Sequence, residues 1–120
     1  MLTRDNFGDC IVAQDDDCDY DESGWIAVVH EGVAYLSNYG HCSCYGTWTA
    51  LGGGNYSTPQ MNELPANWYT WSGSVAEMVS MAERKADPAM PDREMGENDC
   101  DYDHLMKVYE EIVKQKNSLI

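Results

Sequence analysis

No lysine or arginine occurs between Arg4 and Arg84 of this 120-residue chain, although the same interval holds twelve aspartates and glutamates. The anion there has no internal counter-charge, and the whole chain carries a formal net charge of -14. Charge this one-sided repels itself in a compact body, so it points to a cationic partner, an ion or a high-salt solvent. It excludes direct nucleic-acid binding, because carboxylates repel phosphates instead of releasing their counterions. An anionic membrane surface is excluded by the same sign argument.

Long hydrophobic runs are missing as well. No segment approaches the roughly 20 apolar residues of a membrane span, and Met1 to Asn6 opens no apolar stretch of signal-peptide length. The expectation is a soluble protein of the cytoplasm. Phenylalanine is nearly absent, with Phe7 alone, but four tryptophans and eight tyrosines separate this composition from that of a disordered acidic tail. Five cysteines, an odd number without an export signal, read as free thiols or metal ligands and not as a disulfide framework.

The length fits one domain over residues 1–120, large enough for a single core. A short strand is expected at 9–13, followed by an acidic segment at 15–22. Trp25 to His30 and Val33 to Asn38 flank Glu31-Gly32 and predict a hairpin, with Gly32 supplying the positive φ of a two-residue turn. Further strands are expected at 47–51 and 67–71, separated by a loop at 52–66 that holds three glycines and two prolines. Ser74-Val75-Ala76-Glu77 has the form of a capping box, opening a helix at about 75–86 that Asp87-Pro88 should end. A loop at 87–98 leads to a second helix at about 102–116, with Leu105, Val108, Tyr109 and Ile112 on one face and a Glu110 to Lys114 pair along it. The fold class is α+β: a small antiparallel sheet of three to five strands in the N-terminal two thirds, packed with two helices.

One acidic pentapeptide occurs twice, as Asp17-Cys18-Asp19-Tyr20-Asp21 and as Asp99-Cys100-Asp101-Tyr102-Asp103. In extended backbone Asp17, Asp19 and Asp21 would share one side, with alternate residues about 6.8 Å apart. That spacing is comparable to the phosphates of a nucleic-acid strand, so the ladder can imitate one. The plainer reading is a pair of solvated acidic loops, the second leading into a helix whose N-terminus favours negative charge. A calcium loop of the EF-hand type fails, because a loop started at Asp15 puts Tyr20 at the glycine position and Ile26 at the bidentate glutamate.

Gly40-His41-Cys42-Ser43-Cys44-Tyr45-Gly46 sets an imidazole and two thiols between glycines. His41, Cys42 and Cys44 are candidate zinc ligands, although Cys-x-Cys is tighter than the usual knuckle and the set lacks a fourth member. Buried cysteines in a tight turn are the alternative. A nucleophilic Cys42 or Cys44 with His30 or His104 as base is disfavoured by the surrounding carboxylates, which raise a thiol's pKa. No phosphate loop is present, since Gly52-Gly53-Gly54 lacks the lysine and hydroxyl residue of one. A non-enzymatic protein is therefore expected.

The Gly40–Gly46 run, with Trp48 and the segment from Trp71 to Ala86, resembles small bacteriophage and prophage proteins that carry a Ser/Gly-His-Cys-Ser-Cys-Tyr-Gly turn. The resemblance covers about the middle half of the chain and implies a small α+β domain without implying an activity. Thr47-Trp48 follows the turn where Leu-Glu would fit the pattern, and the acidic N-terminal segment lies outside it.

Together these readings predict a phage- or prophage-type inhibitor that docks an acidic, nucleic-acid-like surface onto a basic groove of a host nucleic-acid-binding or defence protein, in the bacterial cytoplasm. Asp15, Asp16, Asp17, Asp19, Asp21, Glu22, Asp99, Asp101 and Asp103 would carry the charge, with Tyr20, Trp25, Tyr56, Trp68 and Tyr69 as aromatic anchors. The alternatives are a zinc-stabilised structural or regulatory domain built on the His-Cys-Ser-Cys turn, and a surface adapted to high salt.

Overall fold

The computed structural model describes residues 8–18, 22–41, 70–99 and 102–119. A short 3-10 turn, Gly8–Cys10, leads into four strands: β1 (Ile11–Cys18), β2 (Glu22–His30), β3 (Val33–His41) and β4 (Trp71–Ser74). Helix α1 (Val75–Arg84), strands β5 (Ala86–Asp87) and β6 (Met90–Glu94), and helix α2 (Tyr102–Leu119) follow. The first four strands form one antiparallel sheet in sequence order, and β5 and β6 form a separate two-stranded ribbon. The α+β class is as the sequence predicts.

The hairpin at Glu31-Gly32 forms as expected, with His30 opposite Val33. Glu31 at φ 52 and Gly32 at φ 81 are both left-handed, which matches the right-handed twist of the strands they join. Both strands run further from the turn than expected, to Glu22 and His41, which pair at the open end of the hairpin. The first strand is a larger correction: it occupies Ile11–Cys18, not 9–13, and carries half the acidic segment with it. Aspartate is a poor strand former in isolation, but pairing with β2 from Ala13–Ala27 to Cys18–Glu22 supplies the ladder that overrides the preference.

Strand β4 occupies Trp71–Ser74 and shares Trp71 with the strand expected at 67–71, whose residues 67–69, like the expected strand at 47–51 and loop at 52–66, fall outside the described residues. Gly73 is required there, because a Cβ would sit 2.6 Å from the Trp71 ring. Ser74 caps α1 as its sequence suggests, its hydroxyl accepting the Glu77 N–H at 3.1 Å and donating to the Glu77 carboxylate at 3.0 Å. A cap of this kind contributes about 1 kcal/mol.

Helix α1 stops at Arg84, ahead of Asp87-Pro88. Lys85 turns left-handed at φ 57 and gives its N–H to the carbonyls of Met81 and Ala82. The expected loop at 87–98 is largely the β5–β6 ribbon, tied by Ala89 N–H to Asp87 Oδ1 at 2.9 Å and by the Arg93 guanidinium to Asp87 Oδ2 at 2.7 Å. A two-stranded ribbon has only edges, so Pro91 removes no ladder bond that a central strand would need. Helix α2 runs three residues beyond 116, and Lys114 reaches Glu111 at 4.0 Å instead of Glu110.

Both helices pack on one face of the sheet. Ala13, Trp25, Ala27, Ala34 and Leu36 meet Met78, Val79, Met81 and Ala82 of α1 and Leu105, Val108, Tyr109 and Ile112 of α2. Ala27 and Ala34 on the two central strands, with Ala13 beside them on β1, leave room for helix backbones to approach. Ile26, Val28 and Ser37 point to the opposite face and are also buried, so the apolar run of β2 is that of a strand covered on both sides. No helix among the described residues is long and apolar enough to cross a membrane.

Candidate acidic interface

The four-stranded sheet contains no lysine or arginine, and every described cation belongs to the segment from Arg84 onward. Within the sheet, the register sets Asp15 opposite Trp25, Asp16 opposite Gly24, Asp17 opposite Ser23 and Cys18 opposite Glu22. The described residues of the first acidic segment, Asp15 to Cys18 and Glu22, are thus held in a ladder between paired strands.

Asp15 lies on the helix-facing side, with Ala13, and its carboxylate meets His104 Nδ1 at 2.7 Å. Lys107 Nζ stands 3.9 Å from the same oxygen. The His104 side chain is 12% exposed and that of Asp15 28%, so the contact sits at the seam between β1 and α2. His104 directly follows the second pentapeptide. The fold therefore brings the first acidic segment against the helix into which the second one leads.

The second copy is not an extended ladder. Helix α2 begins at Tyr102, which places Asp103 exposed in its first turn, where the helix dipole favours a carboxylate. Asp99 is turned onto its own loop, accepting the Gly96 N–H at 2.6 Å and Arg93 Nη2 at 3.0 Å. Those bonds, the Gly96 amide foremost, hold its carboxyl below the usual aspartate range.

Trp25 is not available as an anchor, since it is 5% exposed and packed in the helix-facing core. Its Nε1 has no hydrogen-bond partner among the described residues. Asp16, Asp17, Glu22 and His41 are placed by strand register alone. Asp19, Tyr20, Asp21, Cys42, Cys44, Tyr56, Trp68, Tyr69 and Asp101 lie outside the described residues.

Two contacts have no signal in the linear pattern. The Asp15–His104 pair joins residues 89 apart, and its one trace in sequence is a histidine placed just after a repeated acidic motif. Cys10 Sγ and His30 Nδ1 stand 3.4 Å apart, with Glu31 Oε1 3.8 Å from His30 Nε2. Burial first, then Asp9 and Glu31, push the Cys10 thiol above its ordinary pKa. It is a protonated thiol at neutral pH, unlike the electropositive environment of a reactive cysteine. Among the described residues no group of three or more His, Cys, Asp or Glu is placed to hold a metal ion.

A groove of about 490 Å³ follows β1 from Ile11 to Asp15, with Lys107, Glu110, Glu111 and Lys114 of α2 as its other wall. A second depression, about 700 Å³, lies between the two helices over Tyr102, Met106 and Val113. Comparison of the chain with protein-family models, curated protein sequences and solved structures gives no match.

Proposed function

We propose that this is a small acidic interaction protein, an inhibitor of phage or prophage type, that docks on the basic surface of a host nucleic-acid-binding or defence protein. The observation that carries the reading is the placement of Asp15 to Asp17 on a paired hairpin in a sheet without cations, tied by Asp15 and His104 to the helix that follows the second acidic motif. A ladder-held backbone presents its charges with little left to order on binding, which lowers the entropic cost of docking. Complementary charge of this kind speeds encounter and selects basic partners.

Asp15 is partly consumed by His104, so the test spares it. Bacterial lysate is passed over the immobilised chain at low salt, and over the variant with Asp16, Asp17, Asp19 and Asp21 changed to asparagine. The wild type is expected to retain nucleic-acid-binding proteins that are released as salt screens the contact. The variant should hold them at least about tenfold more weakly, since close interfacial charge pairs couple by about 1.5 kcal/mol or more. Purified partners should lose affinity for DNA or RNA when the chain is added. Equal retention by both forms would sink the reading.

A second reading, zinc stabilisation, has one observation in its favour. His41 is the last residue of β3, so the sheet fixes where the His-Cys-Ser-Cys segment begins, and Cys42 follows it directly in sequence. It predicts one zinc per chain in the purified protein and a lower unfolding temperature after chelation. Unchanged stability in chelator removes it.

A further inference from the structure

We propose that this chain forms a two-fold symmetric dimer in which the α2 helices of two copies lie antiparallel, each against the depression between α1 and α2 of the other. The inference goes beyond the acidic-docking reading and does not depend on it.

The exposed charges of α2 carry the argument. Asp103, Lys107, Glu110 and Lys114 are all exposed and follow one another at steps of four, three and four residues, so they stand in line along one flank of the helix. Their signs alternate, and the spacing is the same from either end. An antiparallel copy therefore meets this line with its complement. Asp103 faces Lys114 of the second copy, Lys107 faces Glu110 of the second copy, and two-fold symmetry repeats each pair. No like-sign pair arises. A uniformly basic or acidic partner would instead set half of these charges against their own sign.

The apolar residues beside the line have the same symmetry. Tyr102, Met106, Tyr109 and Val113 each precede one of the four charges and floor the depression of about 700 Å³ between the helices. Their four-three-four spacing is that of the seam between two packed helices. Tyr102, Met106 and Val113 are only partly buried, and Tyr109 is buried beneath them. The other wall, at the end of α1, brings Glu83 and Lys85, one charge of each sign. The centres of the apolar and charged patterns differ by one residue, about 1.5 Å of helix rise, which lysine side chains span.

The contacts these lysines make within the chain are weak. Lys107 Nζ stands 3.9 Å from Asp15 and Lys114 Nζ 4.0 Å from Glu111, with the lysine side chains 67% and 66% exposed. Exposed pairs of that length contribute little, so sharing them with a second copy costs little. A net charge of -14 repels a second copy at a distance, but physiological salt limits that field to about 8 Å. The four-stranded sheet has no cation with which to meet a second copy, whereas this flank of α2 has as many lysines as acids.

The test is the mass of the full chain in solution, read by sedimentation at physiological salt over a range of concentrations. The wild type should reach twice 13.5 kDa. Lys107→Glu and Glu110→Lys each set like charges across the axis at two symmetric places, and each should raise the dissociation constant at least about tenfold. Mixing the two variants restores opposite signs at both places, so the mixture should form dimers that neither variant forms alone. The double variant, with both reversals in one chain, should dimerise as the wild type does, and it decides the matter if a single variant fails to fold. A wild type that stays monomeric, single variants that dimerise as tightly as the wild type, or a mixture and a double variant no tighter than the single ones would overturn the dimer.

Discussion

Trp25→Ala is expected to lower folding stability by about 3–5 kcal/mol, the range for deleting a large aromatic side chain from a packed core. The indole fills the helix-facing side of the sheet between Asp15 on β1 and Asn38 on β3. It belongs to the cluster that includes Leu36, Met78 and Leu105. The next pair along that face, Ala13 and Ala27, cannot swing in to fill the space. Trp25→Phe should cost much less, because it keeps a large aromatic ring in the core and Nε1 makes no hydrogen bond to any of the described residues. Urea denaturation of both variants checks the ordering. A docking anchor would behave in the opposite way, losing binding while keeping its unfolding midpoint.

Tyr109 carries the second large effect. Its hydroxyl is buried and donates to the Ala86 carbonyl at 2.5 Å, joining α2 to the start of the β5–β6 ribbon. Tyr109→Phe leaves that carbonyl without its donor, at a cost of about 1–3 kcal/mol near neutral pH. Burial first, then the nearby Asp87, pushes the Tyr109 pKa well above that of a free tyrosine. A raised folded pKa means that the unfolded chain releases this proton first. Stability is therefore fully present below about pH 10 and falls as pH rises past it, by up to about 1.4 kcal/mol per pH unit from this group. Stability measured from pH 9 to 11 should show a shallower decline in Tyr109→Phe than in the wild type. Parallel slopes would show that another group governs alkaline unfolding.

The hairpin at Glu31-Gly32 and the cap at Ser74 were legible in the sequence because each depends on residues within a few positions of one another. Helix faces were legible for a related reason: the 3.6-residue period of Met78, Val79 and Ala82, and of Leu105, Val108 and Ile112, reports a face whatever covers it. Where a second segment supplied the partner, the linear pattern misled. Asp15 to Asp17 look like loop residues until β2 offers a ladder, and Pro91 looks like a loop residue although it lies in β6 of a two-stranded ribbon. Lys85 ended α1 three residues before the proline that should have ended it, because a left-handed residue satisfies the last carbonyls.

The candidate interface divides along the same line. Its composition, its sign and its repeated motif are facts of the sequence. Which carboxylates remain free to meet a partner is not: Asp15 is held by His104, Asp99 by Gly96 and Arg93, and Trp25 is taken into the core. The sequence by itself determined the turns, the caps, the helical periodicities and an anionic sheet without cations, all properties of neighbouring residues or of simple counts. Tertiary structure alone decided which acids are spent internally and which aromatic is core. Burial and pairing depend on contacts between residues as much as 89 positions apart, and no local pattern encodes those distances.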